Sequence, residues 1–320
     1  MTEIDERTLR SKTKVERLNG LGTALITPFT INGQVDYPAL NRVLDRQLAG
    51  GVDYIVVLGT TGEAVTLTGE EHQKVRQHIV RYVNGRLPLV LGVGGNNTMA
   101  VVERLHELRD ELRRDYAAIL SVCPYYNKPS QEGLYQHFCR IAEASPVPVI
   151  LYNVPGRTGI NLLPETVIRI YEAHPDKIQG IKEASGNLEQ IRDLIDKRRK
   201  SKDKRLLSTL SPEDGLLVIS GDDGIAAEVM QAGGAGLISV ASNAFPEDFR
   251  RIVHEQDTEL QARYATMVSL LFREGNPAGI KTVLAQEGLI ENVLRLPLVP
   301  NSPAVQQEIE AERIHLRHTK

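Results

Sequence analysis

A lysine sits inside an apolar run at Ile181-Lys182-Glu183, where an ammonium group is costly to bury. Burial lowers the proton affinity of an amine, and a neutral amine can attack a carbonyl carbon to form an imine that withdraws electrons from the neighbouring carbon. A second reading is a lysine whose charge is paired inside the fold, with Glu183 or another carboxylate, and the residues alone leave both readings open. Four other groups of residues could serve imine chemistry. Gly59-Thr60-Thr61-Gly62-Glu63 combines small residues with two hydroxyls, a receptor for a carboxylate or simply a tight turn. Tyr152-Asn153-Val154-Pro155-Gly156-Arg157-Thr158-Gly159 sets a phenol able to pass protons near a guanidinium able to grip a carboxylate with two parallel hydrogen bonds. Pro124-Tyr125-Tyr126-Asn127 adds two phenols, although adjacent aromatic residues in a loop more often pack an interface than perform catalysis. Gly221-Asp222-Asp223-Gly224 suggests helix capping or a main-chain contact to substrate rather than magnesium, because adjacent aspartates point in different directions.

The elements that must carry these residues follow from hydropathy. Apolar runs recur about every 30 residues: GLGTALITPF, YIVVLG, LPLVLGVG, YAAILSV, VPVILY, IQGIKEA, LLVISG and AGLISV. Stretches with helical periodicity separate them, at 38–49, 70–83, 99–113, 131–144, 164–173 and 187–199. Eight βα repeats whose strands are apolar on both sides predict a (β/α)8 TIM barrel, with a doubly wound open sheet as the alternative. In parallel barrels reactive groups collect at the carboxyl ends of the strands, and each candidate above ends or follows an apolar run. Helical patterning without strands over 247–255, 258–273, 278–287 and 303–317 predicts a C-terminal helical appendage. The expected division is a polar N-terminal tail at 1–19, the barrel at 20–245 and a helical region at 246–320. The polar segment at 197–214 is expected to be an enlarged surface loop.

Composition excludes several classes. The chain is 41% hydrophobic and 25% charged, with a net charge of −3 and no apolar stretch near the roughly 20 residues that span a bilayer, so no membrane partner is expected. The charged N-terminus lacks the apolar centre of a secretion signal, which predicts a cytoplasmic location. The basic run KRRKSKDKR at 197–205 has no aromatic residues for base stacking, so no nucleic acid is expected either. Cys123 and Cys139 lack the spacing of a metal or redox pair and are read as free thiols, and the scattered histidines imply no metal. Gly92-Val93-Gly94-Gly95 lacks the third glycine of a dinucleotide loop and is read as a tight turn, so no cofactor is called.

Six segments together are specific: GTTGEAVTL at 59–67, CPYYNKPSQEGLYQHF at 123–138, LYNVPGRTGINLLPETV at 151–167, GIKEASGNL at 180–188, ISGDDG at 219–224 and GGAGLISVASN at 233–243. Over roughly residues 20–300 the chain resembles the dihydrodipicolinate synthase family of pyruvate-dependent lyases, a group that also contains N-acetylneuraminate lyase. The resemblance implies an imine between Lys182 and pyruvate, with Thr60 and Thr61 holding the pyruvate carboxylate. It implies Tyr152 as the proton carrier, linked through Thr60 to Tyr126 from a neighbouring subunit, and hence a dimer or a tetramer built as a dimer of dimers. Arg157 would receive the carboxylate of L-aspartate 4-semialdehyde, and the main chain around Gly221 and Ile238 would complete the pocket. The implied product is 4-hydroxy-tetrahydrodipicolinate, on the route to lysine and diaminopimelate. A sugar-acid aldolase with the same imine, and a catalytically silent keto-acid-binding barrel, are the competing readings.

Many members are inhibited by lysine at a subunit interface. His72, Asn96 and Tyr125 match residue types of lysine-sensitive members, whereas Ala64, Gly69 and Ala100 replace the serine, histidine and glutamate found there. Weak or absent inhibition is the resulting expectation.

Overall fold

The computed structural model describes residues 18–200 and 215–318. Residues 1–17 of the tail expected at 1–19, and residues 201–214 of the enlarged loop expected at 197–214, lie outside the described residues. Eight strands follow in order: β1 Gly20–Ala24, β2 Tyr54–Val57, β3 Leu89–Gly92, β4 Ala118–Val122, β5 Val149–Asn153, β6 Ile178–Glu183, β7 Leu217–Ser220 and β8 Gly236–Ser239. They close into a barrel in sequence order, with parallel pairing along the ladders. The (β/α)8 architecture therefore stands, and the open sheet does not. Strands buried along nearly their whole length explain why their sequences are continuous apolar runs rather than alternating ones.

The helices are α1 Tyr37–Ala49, α2 Gly69–Val83, α3 Thr98–Glu107, α4 Arg109–Asp115, α5 Gln131–Ala144, α6 Pro155–Thr158, α7 Pro164–Ala173, α8 Leu188–Lys200, α9 Ala226–Gln231, α10 Pro246–His254, α11 Thr258–Arg263, α12 Ala265–Phe272, α13 Ala278–Gln286 and α14 Pro303–His318. Their starts are encoded locally. Thr68 and Glu71 form a reciprocal capping box at α2, Asn97 accepts from Met99 N and Ala100 N at α3, and Ser130 accepts from Gly133 N at α5.

Two expected helices are broken. The stretch at 99–113 divides at Leu108, and the stretch at 258–273 divides at Tyr264, whose buried hydroxyl donates to Asp248. The six-residue α9, between β7 and β8, was not among the expected helices; it is too short to show a periodic pattern.

Two compact units make up the described chain. One is built mainly from Pro88–Gly221 with Ala232–Gly236 and contains β3 to β7, its core formed by residues such as Ile150, Ile181 and Val218. The other comprises Gly20–Leu87, Asp222–Gln231 and the chain from Leu237 onward, with β1, β2 and the C-terminal helices around Leu40, Phe249, Met267 and Leu284.

Candidate active site

In the unit containing β3 to β7, parallel register pairs Tyr152 with Lys182 and Asn153 with Glu183. Because side chains alternate along a strand, each pair occupies its own face. On one face the Lys182 ammonium lies 4.5 Å from the centroid of the Tyr152 ring. Lys182 is only 6% exposed, and no carboxylate forms an ion pair with it among the described residues.

The other face explains where Glu183 goes instead. Its two oxygens accept from Asn153 Nδ2 at 3.1 and 2.9 Å, from Gln190 Nε2 at 3.1 Å and from the backbone N–H of Ser185 at 2.8 Å. Burial pushes the Glu183 carboxyl up, and these donors pull it back. The reading in which Glu183 neutralises Lys182 thus has no support in the geometry.

The same amides shape the loop that carries Arg157. Asn153 Nδ2 also donates to Asn161 at 2.7 Å, and Asn153 Oδ1 accepts from Leu162 N at 2.9 Å, so the segment from 153 to 162 is pinned at both ends. Between them Pro155 opens a single helical turn and Thr158 closes it with bonds to Val154 O and Ile160 O, leaving Arg157 exposed at the tip. Gly221 follows β7 and donates its N–H to Glu183 O at 2.7 Å. A Cβ at Gly221 would fall 2.9 Å from Lys182 Cε and 2.6 Å from Ala184 Cβ, so glycine is what lets the lysine side chain pass.

In the other unit, Thr60–Gly62 forms a 3₁₀ turn directly after β2. Thr61 is buried, Thr60 is exposed, and Glu63 ends the turn in the left-handed region at φ 50°. Ile238 is fully buried in β8. Just beyond it, buried Asp223 accepts from Ser239 Oγ, from Val240 N at 3.0 Å and from Ala241 N at 3.4 Å, fixing the strand end. Burial outweighs these bonds and pushes the Asp223 carboxyl up to about 6. Asp222 caps the following turn through Gly224 N, the capping role expected of this pair.

Lys182, Tyr152 and Gly221 are thus brought together. Tyr126 is not: it is 89% exposed with φ 73°, and no hydrogen bond joins it to Tyr152 among the described residues. Sequence reasoning passed over the Asn153, Asn161 and Gln190 amides, although Tyr-Asn opposite Lys-Glu on paired strands carries the signal. It also passed over Asn276, whose Nδ2 donates to Thr61 Oγ1 at 2.9 Å. Cys123 and Cys139 are buried free thiols, as expected.

Comparison with known proteins decides the family. The model of the dihydrodipicolinate synthetase family matches residues 17–314. The chain belongs to that family. A 4-hydroxy-tetrahydrodipicolinate synthase of Parabacteroides distasonis is 47% identical over 299 residues, covering 91% of this chain and 95% of its own. The dihydrodipicolinate synthase structure of Thermotoga maritima superposes with a TM-score of 0.85 at 35% identity, covering 93% of this chain and 98% of its own. That of Acinetobacter baumannii, chloride-inhibited and complexed with pyruvate, gives 0.83 at 37% identity, covering 92% and 97%. As a member of the dihydrodipicolinate synthetase family the chain is an enzyme, a lyase. Among the described residues no helix is long and apolar enough to cross a membrane.

Proposed function

We propose that the chain is a 4-hydroxy-tetrahydrodipicolinate synthase acting in lysine and diaminopimelate biosynthesis, and that it condenses pyruvate with L-aspartate 4-semialdehyde through an imine on Lys182. The observation that carries this reading is a buried lysine with no carboxylate partner, set against a tyrosine ring at the ends of two paired strands. No carboxylate among the described residues blocks the amine, which leaves it free to meet a carbonyl carbon beside the Tyr152 ring.

The Lys182 amine adds to C2 of pyruvate and water leaves, giving the imine. Loss of a proton from C3 gives the enamine, which attacks the aldehyde carbon of the semialdehyde. The amino group of that substrate then closes on the imine carbon and releases Lys182, so the net change is loss of one water. In this scheme Thr60 and Thr61 hold the pyruvate carboxylate, Tyr152 moves protons, and Thr60 links Tyr152 to Tyr126 of a neighbouring subunit. Arg157 takes the semialdehyde carboxylate, and main-chain groups of Gly221 and Ile238 line the pocket. The enzyme would work in the cytoplasm as a homo-oligomer, a dimer or a tetramer of two dimers. The pyruvate complex of the Acinetobacter baumannii relative supports the choice of keto acid. The exposed, positive-φ Tyr126 suits a residue that reaches into another subunit.

Borohydride reduction in the presence of pyruvate should add a pyruvate-derived mass to the peptide containing Lys182. Adduct on a different lysine would overturn the assignment. Product formation from pyruvate with aspartate semialdehyde, set beside cleavage of N-acetylneuraminate, separates this reading from a sugar-acid lyase.

A further inference from the structure

The C-terminal helical segment reaches back to the turn after β2 at three points. Asn276, just before α13, donates its Nδ2 to Thr61 Oγ1. Lys281, on α13 and fully buried, forms an ion pair with Glu63, whose side chain is also fully buried. The Lys281 ammonium also donates to Val293 O at 3.0 Å and lies 4.2 Å from the Phe29 ring centroid. Arg295 donates its backbone N–H to Glu63 Oε2 at 3.1 Å, while its guanidinium binds Glu71, Thr66 O and Gly33 O. Burial lowers the Lys281 ammonium to about 8 even with Glu63 beside it, which marks how little water reaches this pair.

Thr61 is held differently from its neighbours. An amide nitrogen only donates, so the bond from Asn276 occupies a lone pair on Thr61 Oγ1 and leaves the hydroxyl proton to be given elsewhere. No described residue accepts it. Asn276 is 6% exposed, and among the described residues its Oδ1 is buried without a partner, an arrangement that costs stability rather than adding to it. The one side-chain bond that Asn276 makes among the described residues is aimed at Thr61, so orienting that hydroxyl is the role its geometry offers.

We propose that Asn276 is a positioning residue that fixes the Thr61 hydroxyl as a hydrogen-bond donor, preset to receive the carboxylate of the keto-acid substrate. The inference rests on the imine reading given above. Lys281 and Arg295 serve it by holding Glu63 in its left-handed conformation, so that the Thr60–Gly62 turn does not shift when the anion arrives. A donor oriented before binding costs no reorganisation when the anion arrives, whereas a free hydroxyl rotor must first be ordered.

The test measures the pyruvate concentration that gives half-maximal borohydride trapping on Lys182, in the full-length protein, for wild type, Asn276→Ala and Asn276→Asp. Thermal melts confirm that each variant is folded at the assay temperature. Asn276→Ala should raise the half-saturating concentration by roughly 2- to 10-fold, what one neutral hydrogen bond contributes. Asn276→Asp presents only acceptors, turns the hydroxyl toward itself and should raise it by roughly 10- to 150-fold, as expected when a bond to a charged group is lost. In steady state the KM for the semialdehyde should stay within twofold of wild type in both, a split that general loosening of the fold would not produce. Wild-type affinity for pyruvate in folded Asn276→Ala would overturn the inference, and so would Asn276→Asp behaving like wild type, since the oxygen would then be the atom facing Thr61. Absence of trapping in the wild-type protein would instead remove the imine reading, and this inference with it.

Discussion

The Lys182 ammonium lies over the face of the Tyr152 ring, 4.5 Å from its centroid, with both residues on one face of the β5–β6 ladder. The ring quadrupole attracts the ammonium and fixes where the amine sits, directly beside the phenol-bearing residue. Glu183, one residue on, is turned to the opposite face and occupied by amides.

Tyr152→Phe keeps the ring beside Lys182 and removes only the hydroxyl. Imine trapping with pyruvate should survive in this variant while turnover falls by about 100-fold or more, the span of a lost general acid–base group. Trapping and turnover lost together, in a folded protein, would show that the phenol is already required to form the imine and not only for the later proton transfers.

Tyr126 offers a test of subunit exchange. Tyr126→Phe and Lys182→Ala should each be nearly inactive, and mixed oligomers of the two should recover activity, because one hybrid site then has both groups intact. No recovery in oligomers shown to be mixed would place the tyrosine in its own chain's chemistry.

His137 makes stability depend on pH. Its ring is buried, bonded at Nδ1 to Thr98 Oγ1 at 2.9 Å and, among the described residues, without a partner at Nε2, and burial holds its pKa down to about 4. A folded pKa below the usual 6.5 means that the unfolded chain takes up the proton first. The neutral ring's contribution is therefore complete above pH 6.5 and is lost as the pH falls toward 4, amounting to about 3 kcal/mol at the limit. Urea unfolding at pH 7.5 and pH 4.5 should show a smaller difference for His137→Gln than for wild type; equal differences would reject this account.

Lysine should inhibit weakly or not at all. Ala100 lies in the first turn of α3, and a methyl group there offers no carboxylate to an ammonium. Loss of such a charge-assisted bond is worth roughly 1.5–3 kcal/mol, or about 10- to 150-fold in affinity. His72 Nε2 is already engaged with Ala64 O at 2.7 Å. A lysine titration of the steady-state rate at saturating pyruvate decides the point, and half-inhibition below about 1 mM, already a binding energy near 4 kcal/mol, would show the reading to be wrong.

The barrel was legible because its strands are buried on both faces, which writes them as unbroken apolar runs such as YIVVLG and VPVILY. Helix breaks were not: at Tyr264 the break coincides with a hydroxyl bound to Asp248, 16 positions earlier, and at Leu108 no capping side chain marks it. A lysine inside an apolar run proved a less selective signal than it looked. The rule that singles out Lys182 also fits Lys281, in AGIKTVLAQ, and only the fold separates them: Lys281 has Glu63 against it, and Lys182 has no carboxylate among the described residues. Asn276 could not be read at all, since its partner is 215 positions away and nothing in NPAG points to a hydroxyl.

That distance also sets an order of events. Thr61 is made early, and Asn276, Lys281 and Arg295 leave the ribosome only after most of the chain has been synthesised. A nascent or proteolytically shortened chain ending before residue 276 would contain all eight strands, with Lys182 and Tyr152 among them, but no clasp on the turn after β2. Closing that turn is a late, long-range step, slow to search out because the two ends are so far apart along the chain. If Asn276 presets the Thr61 hydroxyl as proposed, a chain cut short of it binds the keto acid more weakly than the finished one.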